Sequence, residues 1–260
     1  DLAGIISCAG VFSVFFGFMY GSFFGFEDVL KAIWLKPMNQ MMDVPLVGRL
    51  NAVFVIAIGF GMFIILICMV FNIINSSRRG DTEKTWFDSN AVAGLVFYGS
   101  IVLTIGLFIS GKKLPAAAIL VIMFGVPLLL MFLKEPLTNL VEKKSRILPE
   151  QKGMFFVQSF FELFEVLLSY LSNTLSFLRI GAFAVSHAAM MEVVLMLAGA
   201  TNGGNPNWIV VVLGNIFVCA MEGLIVGIQV LRLEYYEIFS RFYAGNGREF
   251  KPFMKAAHKN

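Results

Sequence analysis

Apolar residues run for about 20 positions at a time along most of this chain, and nearly all charged residues fall in the gaps between runs. The first run, about Leu2 to Phe26, reads LAGIISCAGVFSVFFGFMYGSFFGF and carries no charge; the second, about Leu50 to Ile74, carries none either. A third, about Ala91 to Ile109, and a fourth, about Leu114 to Leu133, are joined by the short turn SGKK. A fifth pattern extends from Gly153 to Ala198 and a sixth from about Trp208 to Tyr243. At 1.5 Å per residue, about 20 residues cross a hydrocarbon core of ~30 Å, so these runs predict membrane-crossing helices. A membrane barrel would show alternating segments of about ten residues, and the sequence has no such pattern. The expected fold class is therefore all-α: a polytopic membrane protein with about six transmembrane helices. It divides into residues 1–152 (the first four helices and their loops), 153–243 (a long antiparallel helix pair) and 244–260 (a tail).

Composition agrees with the pattern. The 260 residues are 58% hydrophobic and 14% charged, against about 45–50% and 25% for soluble domains. An ordinary soluble enzyme domain is excluded. The net charge of +3, without a basic cluster, gives no reason to expect a nucleic-acid partner; the expected surrounding is a lipid bilayer. Cys8, Cys68 and Cys219 each stand alone in apolar stretches and read as small hydrophobes, with no metal site behind them. The chain starts at Asp1 with neither Met nor a signal sequence, as expected of a piece of a longer protein.

The basic residues set the expected orientation. Arg78, Arg79 and Lys84, then Lys134, Lys143, Lys144, Arg146 and Lys152, then Arg241, Arg248, Lys251, Lys255 and Lys259 all fall on one side. The other side has Lys31, Lys36, Arg49, Lys112 and Lys113. The richer side is cytoplasmic by the positive-inside rule, which puts both ends of the chain there. Arg179 and Arg232 remain, and both lie inside apolar segments.

Segments five and six are too long for an upright crossing and are joined by the turn-forming TNGGNPN, residues 201–207. They predict an antiparallel hairpin. Arg179 and Arg232 are equally far from the middle of that loop, so their guanidinium groups fall at about the same level. Arg179 is 20 residues from the helix end near Gly199, or ~30 Å along the axis. Either both arginines snorkel at the membrane surface, or the helices tilt by about 60°, past the usual range of 0–40°. On a helical wheel Glu165, Ser169, Ser172, Ser176, Arg179, Ser186 and His187 share an arc of about 100°. Glu222, Gln229 and Arg232 share about 80° on the sixth segment. Such stripes suit a hydrated ion path; the serines equally suit helix packing, and His187 a packing hydrogen bond. Glu222 sits mid-segment, far in sequence from any cation, where an unpaired carboxylate is costly. Glu162 and Glu165 lie nearer the cytoplasmic end, and Glu192 nearer the outer surface.

The stretch LSNTLSFLRIGAFAVSHAAM, 171–190, resembles the seventh transmembrane helix of the membrane stator subunit of V-type and A-type rotary ATPases, called a or I. MEGLIVGIQVLRLEYYEIFSRFYAGNGREFKPF, 221–253, resembles that family's last helix and tail, and SVFFGFMYGSFFGFE an earlier membrane segment. The resemblance implies that these six segments are helices three to eight of eight, the last two strongly tilted against a rotor ring. It implies an ion-translocating subunit with two half-channels, in which Arg179 is the essential arginine and Arg232 the second. Glu222 and His187 match positions linked to the ion path. Gly181 and the short 201–207 loop depart from the family pattern, some relatives carrying a bulkier aromatic in place of Gly181. The implied partners are a ring of small c- or K-type membrane subunits bearing a carboxylate, and a peripheral stalk held by an N-terminal domain. No cofactor is implied, only transported H⁺ or Na⁺. No catalytic site is expected in this chain: it lacks the phosphate-binding GxxxxGK[ST] pattern, so ATP chemistry would belong to other subunits. The expected location is a bacterial or archaeal cell membrane. A secondary ion-coupled transporter with buried charges is the rival reading, although no internal repeat supports it.

Overall fold

The computed structural model describes residues 2–21, 26, 41–44, 48–113, 115–141, 152–200, 205–243 and 245. Five expectations rest on residues outside these: the end of the first run, Lys31 and Lys36, Lys143 to Arg146, residues 201–204 of the loop, and nearly all of the tail. The helices are α1 (Leu2–Tyr20), α2 (Ala52–Arg79), α3 (Thr82–Trp86), α4 (Val92–Ile109), α5 (Ala117–Phe132), α6 (Lys134–Val141), α7 (Lys152–Ser176), α8 (Leu178–Leu197) and α9 (Trp208–Leu233). A π-helical turn, Glu234–Phe239, follows α9 and leads into α10 (Ser240–Phe242). Five helical runs are long and apolar enough to cross a membrane. Joining α5 and α6, bent by 73° at their break, makes a sixth, as the hydropathy pattern requires. An antiparallel hairpin of β1 (Met41–Val44) and β2 (Gly48–Asn51), pairing Met41 with Asn51, was not foreseen.

The centre of the fold is α2. Its 28 residues start at a capping Asn51, whose side chain accepts the Val53 N–H, and stop at Gly80, whose φ of 73° is a left-handed conformation that glycine adopts freely. Arg78 and Arg79 fill its last turn, where positive charge suits the helix dipole. Around it pack α4, α7, α8 and α10, with Ile65, Met69, Phe97, Tyr98, Tyr170 and Phe177 in one buried cluster. Polar side chains bond back to the carbonyl one turn earlier, as Ser100 does to Val96 and Thr104 to Ser100 in α4, and Asn215 to Val211 in α9. A crevice of about 320 Å³ lies between α1, α2 and α8, bounded by Phe16, Phe60 and Gly181 among others.

The fifth apolar segment is not one smooth helix. It breaks for a single residue at Phe177, where Phe177 N–H reaches the Thr174 carbonyl and Ile180 N–H the Phe177 carbonyl. These i→i+3 bonds tighten the turn. The Phe177 ring is fully buried and lies over Gly61 of α2, where a Cβ would meet Phe177 Cγ at 2.1 Å. One turn on, Gly181 presses against Phe54 and the Val53 carbonyl, leaving a Cβ only 2.9 Å from the Phe54 ring. Phe54 thus occupies the space that an aromatic at position 181 would need. Small residues in membrane helices allow this close approach, which stands in for a hydrophobic drive that lipid does not supply.

Gly61→Val should force α2 and α8 apart. Overpacking of this kind costs about 1–3 kcal/mol, so the detergent-solubilised protein should unfold at a lower temperature. Gly59→Val, with nothing within 4 Å of its new Cβ, should leave the unfolding temperature nearly unchanged. Equal melting of the two variants would contradict this packing.

Candidate functional site

The candidate residues gather on the α7–α8 and α9 pair. Arg179 is the second residue of α8, directly after the break that Phe177 anchors. It is half-buried, and its Nη1 is enclosed with no hydrogen-bond partner among the described residues. Arg232, near the end of α9, is exposed. Gln229 is half-buried, whereas Ser172, Ser186, Glu165 and Glu192 are exposed and Ser176 is half-buried. The stripe drawn on one helical wheel is therefore split: Glu165, Ser169, Ser172 and Ser176 belong to α7, and Arg179, Ser186 and His187 to α8. The tight turn at Phe177 rotates one part against the other.

His187 and Glu222, expected separately, form a pair. His187 Nδ1 and Glu222 Oε2 share a hydrogen bond of 2.6 Å across α8 and α9. With Glu222 ionised, the ring N–H donates to the carboxylate. The second oxygen, Oε1, is buried and has no hydrogen-bond partner among the described residues. Glu222 therefore has a partner that sequence distance hid, 35 residues away. Its side chain is 19% exposed and that of His187 is 49% exposed, so the pair opens to one side. Glu162, by contrast, is engaged by Lys134 of α6 in an ion pair that ties α7 to the α5–α6 bend.

Facing contacts fix the register of the hairpin. Val194 of α8 lies against Gly214 of α9, and His187 against Glu222. Counting eight residues back from His187 reaches Arg179, and eight onward from Glu222 reaches Val230. At the open end of the hairpin, the Arg241 guanidinium lies 5.8 Å from the Tyr170 ring centroid. Nine residues onward from Tyr170 is again Arg179, and nine back from Arg241 is Arg232. The two arginines are thus level to within about two residues, or ~3 Å along the axes.

The sequence reading missed a buried polar cluster at that open end. Arg241, one of the cations counted on the cytoplasmic side, is only 6% exposed, as is Glu237 one turn earlier. Arg241 Nη1 donates to Asn90 Oδ1 at 3.0 Å, and Asn72 Nδ2 donates to the Asn90 carbonyl at 2.9 Å. Tyr170 donates through its hydroxyl to the Ser89 carbonyl. The Thr174 hydroxyl is committed to the Tyr170 carbonyl at 2.7 Å, so Tyr98 is the donor in the 2.7 Å Tyr98–Thr174 contact. The spacing Leu233, Glu237, Arg241, four residues apart, was the available signal. Its meaning depends on the π turn, which sequence does not announce.

Comparison with known proteins bears on this arrangement. Residues 138–255, which contain both arginines, the His187–Glu222 pair and Arg241, match the profile of the V-type ATPase 116kDa subunit family. A-type ATP synthase subunit I of Saccharolobus solfataricus is 44% identical over 100 residues, covering 35% of this chain and 14% of that protein. The subunit I of Pyrococcus horikoshii is 25% identical over 265 residues, 96% of this chain and 36% of that protein. V-type proton ATPase 116 kDa subunit a 3 of Homo sapiens is 35% identical over 106 residues, covering 36% of this chain and 13% of that protein. Where the match runs along nearly the whole chain, as in the two Pyrococcus relatives, the chain spans 36% of the relative's length.

A Cβ built on Gly214 lies 3.3 Å from Val194 Cβ, just under the usual disulfide range of about 3.5–4.5 Å. The double variant Val194→Cys, Gly214→Cys should therefore cross-link under mild oxidation, seen as a gel shift after cleavage between the helices. Val194→Cys paired with Gly223→Cys, more than two turns away, should not. The reverse pattern would refute the register.

Proposed function

Because the chain belongs to the V-type ATPase 116kDa subunit family, we propose that it is the membrane part of an ion-translocating stator subunit of a V- or A-type rotary ATPase. The observation that carries this reading is the levelling of Arg179 and Arg232 on neighbouring helices, with the His187–Glu222 pair displaced toward the 201–207 turn. The chain is an integral membrane protein whose helix pair presents large apolar side chains around these few charges: Leu171, Leu175, Leu224, Ile228, Leu231 and Tyr235 are all exposed. A surface of that kind fits lipid together with a rotating ring of small membrane subunits.

The mechanism rests on charge in a medium of low dielectric constant. A ring carboxylate is neutral, carrying H⁺ or Na⁺, while it faces lipid. An arginine stays protonated when buried, whereas a lysine can lose its charge. As the carboxylate reaches Arg179, the guanidinium favours its ionised form and the ion leaves into one half-channel. The enclosed Nη1, with no hydrogen-bond partner among the described residues, is available for that role. Arg232 reinforces the positive field, which also bars a cation from leaking directly between half-channels. Glu222 lies one oxygen on His187 and one free in the protein, a suitable relay on the turn side. Ser186, Gln229 and Glu192 line that path; Glu165, Ser172 and Ser176 line the one on the open side, where Glu162 is restrained by Lys134. In this reading the helix pair is strongly tilted, both chain ends are cytoplasmic, a peripheral stalk is held by an N-terminal domain, and the membrane is bacterial or archaeal.

The reading is tested by ATP-driven ion uptake into vesicles that contain the intact, ring-bound complex. Losing a charge-assisted bond worth about 1.5–3 kcal/mol should lower uptake by roughly 10–100-fold in Arg179→Lys, with assembly retained. Arg232→Lys should be milder. Near-normal uptake in Arg179→Lys or Arg179→Ala would overturn the mechanism.

Two narrower outcomes follow from the same reading. Glu222→Gln keeps a hydrogen-bonding group toward His187 and removes the ionisable one, so uptake should slow while the complex assembles; an unchanged rate assigns Glu222 to packing. For orientation, Asn205→Cys in the turn should react with a membrane-impermeant thiol reagent only from the outer side. Labelling from the cytoplasmic side alone would reverse the topology.

A further inference from the structure

We infer that Arg241 is a positioning residue: its buried guanidinium clamps α10, and through the π turn the end of α9, to α7 and so sets the level at which Arg179 and Arg232 stand. This rests on the functional reading above for its consequence, although its geometry does not. The clamp has two contacts. One is the face of the Tyr170 ring at 5.8 Å, on the helix run that leads to Arg179. The other is Asn90 Oδ1 at 3.0 Å, in the loop before α4. Tyr170 is itself fixed, because its hydroxyl donates to the Ser89 carbonyl next to Asn90. One residue thereby ties α10, which continues α9 through the π turn, to α7 and the start of α4.

The spacing makes the clamp specific. Tyr170 and Arg179 are nine residues apart, and so are Arg232 and Arg241. A contact between Tyr170 and Arg241 therefore brings Arg179 and Arg232 level. In a regular α-helix the eight steps from Leu233 to Arg241 would carry the side chain about 80° around the axis. The π turn at Glu234–Phe239 advances each residue less. Leu233, Glu237 and Arg241 consequently remain on the buried side, while Arg232 points outward. Arg241 has no carboxylate within 4.0 Å among the described residues, and its Nε and Nη2 are enclosed without partners. A guanidinium held in this way stabilises the fold poorly compared with an apolar side chain, yet it fixes one arrangement, because the amide and the ring face accept it in only one place.

The test uses the assembled complex in nanodiscs with native cysteines replaced and spin labels at Leu175 and Leu231. Both are exposed, and they flank Arg179 and Arg232. Arg241→Ala should broaden the measured distance distribution and lower ATP-driven ion uptake by roughly 10–100-fold, since a misplacement of about 1 Å in reacting groups can cost about 100-fold. Arg241→Lys, which keeps a cation over the ring, should restore a narrower distribution and part of the uptake. Asn90→Ala removes one contact without touching a helix and should show the same changes in smaller degree if Arg241→Ala fails to assemble. A distribution as narrow as the parent's in Asn90→Ala, or a broadened one with full uptake, would overturn the positioning role. Arg179→Ala separates the two claims: normal uptake there defeats the functional reading, whereas the distances judge the clamp independently.

Discussion

An arginine placed in an apolar helix keeps its proton, so the surrounding structure must supply what water would have given it. The three arginines of the helix pair meet this constraint differently. Arg241 receives an amide oxygen and an aromatic face and is buried. Arg179 is half-enclosed, with one terminal nitrogen left unpaired. Arg232 remains open on the outer face. The gradient from buried to exposed separates a charge enclosed by protein contacts, though with two of its nitrogens unpartnered among the described residues, from charges that stand progressively more open.

The helix framework accommodates these charges through close contacts at small residues. Phe177 sits over Gly61, Phe54 fills the space beside Gly181, and Val194 lies against Gly214. Lipid offers no hydrophobic drive for helix association, so fitted van der Waals contacts of this sort must hold the bundle. They also locate the break at Phe177, two residues before Arg179, after which α8 begins. Packing and the candidate site are thus continuous: the ring that fills α2's glycine notch is the one that aims Arg179.

Polar pairs deep in the bundle follow the same economy. Tyr98 donates to Thr174, whose own hydroxyl is already given to a carbonyl, and each Ser or Thr hydroxyl in α4 finds its helix backbone. The His187–Glu222 pair is less complete, because one carboxylate oxygen is enclosed with no hydrogen-bond partner among the described residues, as are Glu237 Oε2 and two Arg241 nitrogens. An unmet polar group in a low-dielectric setting is expensive, and its retention at the centre of the helix pair suits a group that exchanges partners.

The helices, their approximate number and the hairpin of the last two segments were legible in the sequence, because crossing a hydrocarbon layer demands long apolar runs and internally bonded backbone. Arg179, Arg232, His187 and Glu222 stood out for the same reason: a charge within such a run is rare enough to be read directly. What the sequence left open depends on contacts between distant residues. The pairing of His187 with Glu222, the break at Phe177 and the burial of Arg241 each need a second helix to define them. A regular wheel carries one stripe from Glu165 to His187, whereas the tight turn over Gly61 divides it. Extended as a regular α-helix, the same wheel swings Arg241 away from the side shared by Leu233 and Glu237, but the π turn holds it inside. Local periodicity determines which residues face one another along a helix, and only tertiary packing decides where that period is interrupted.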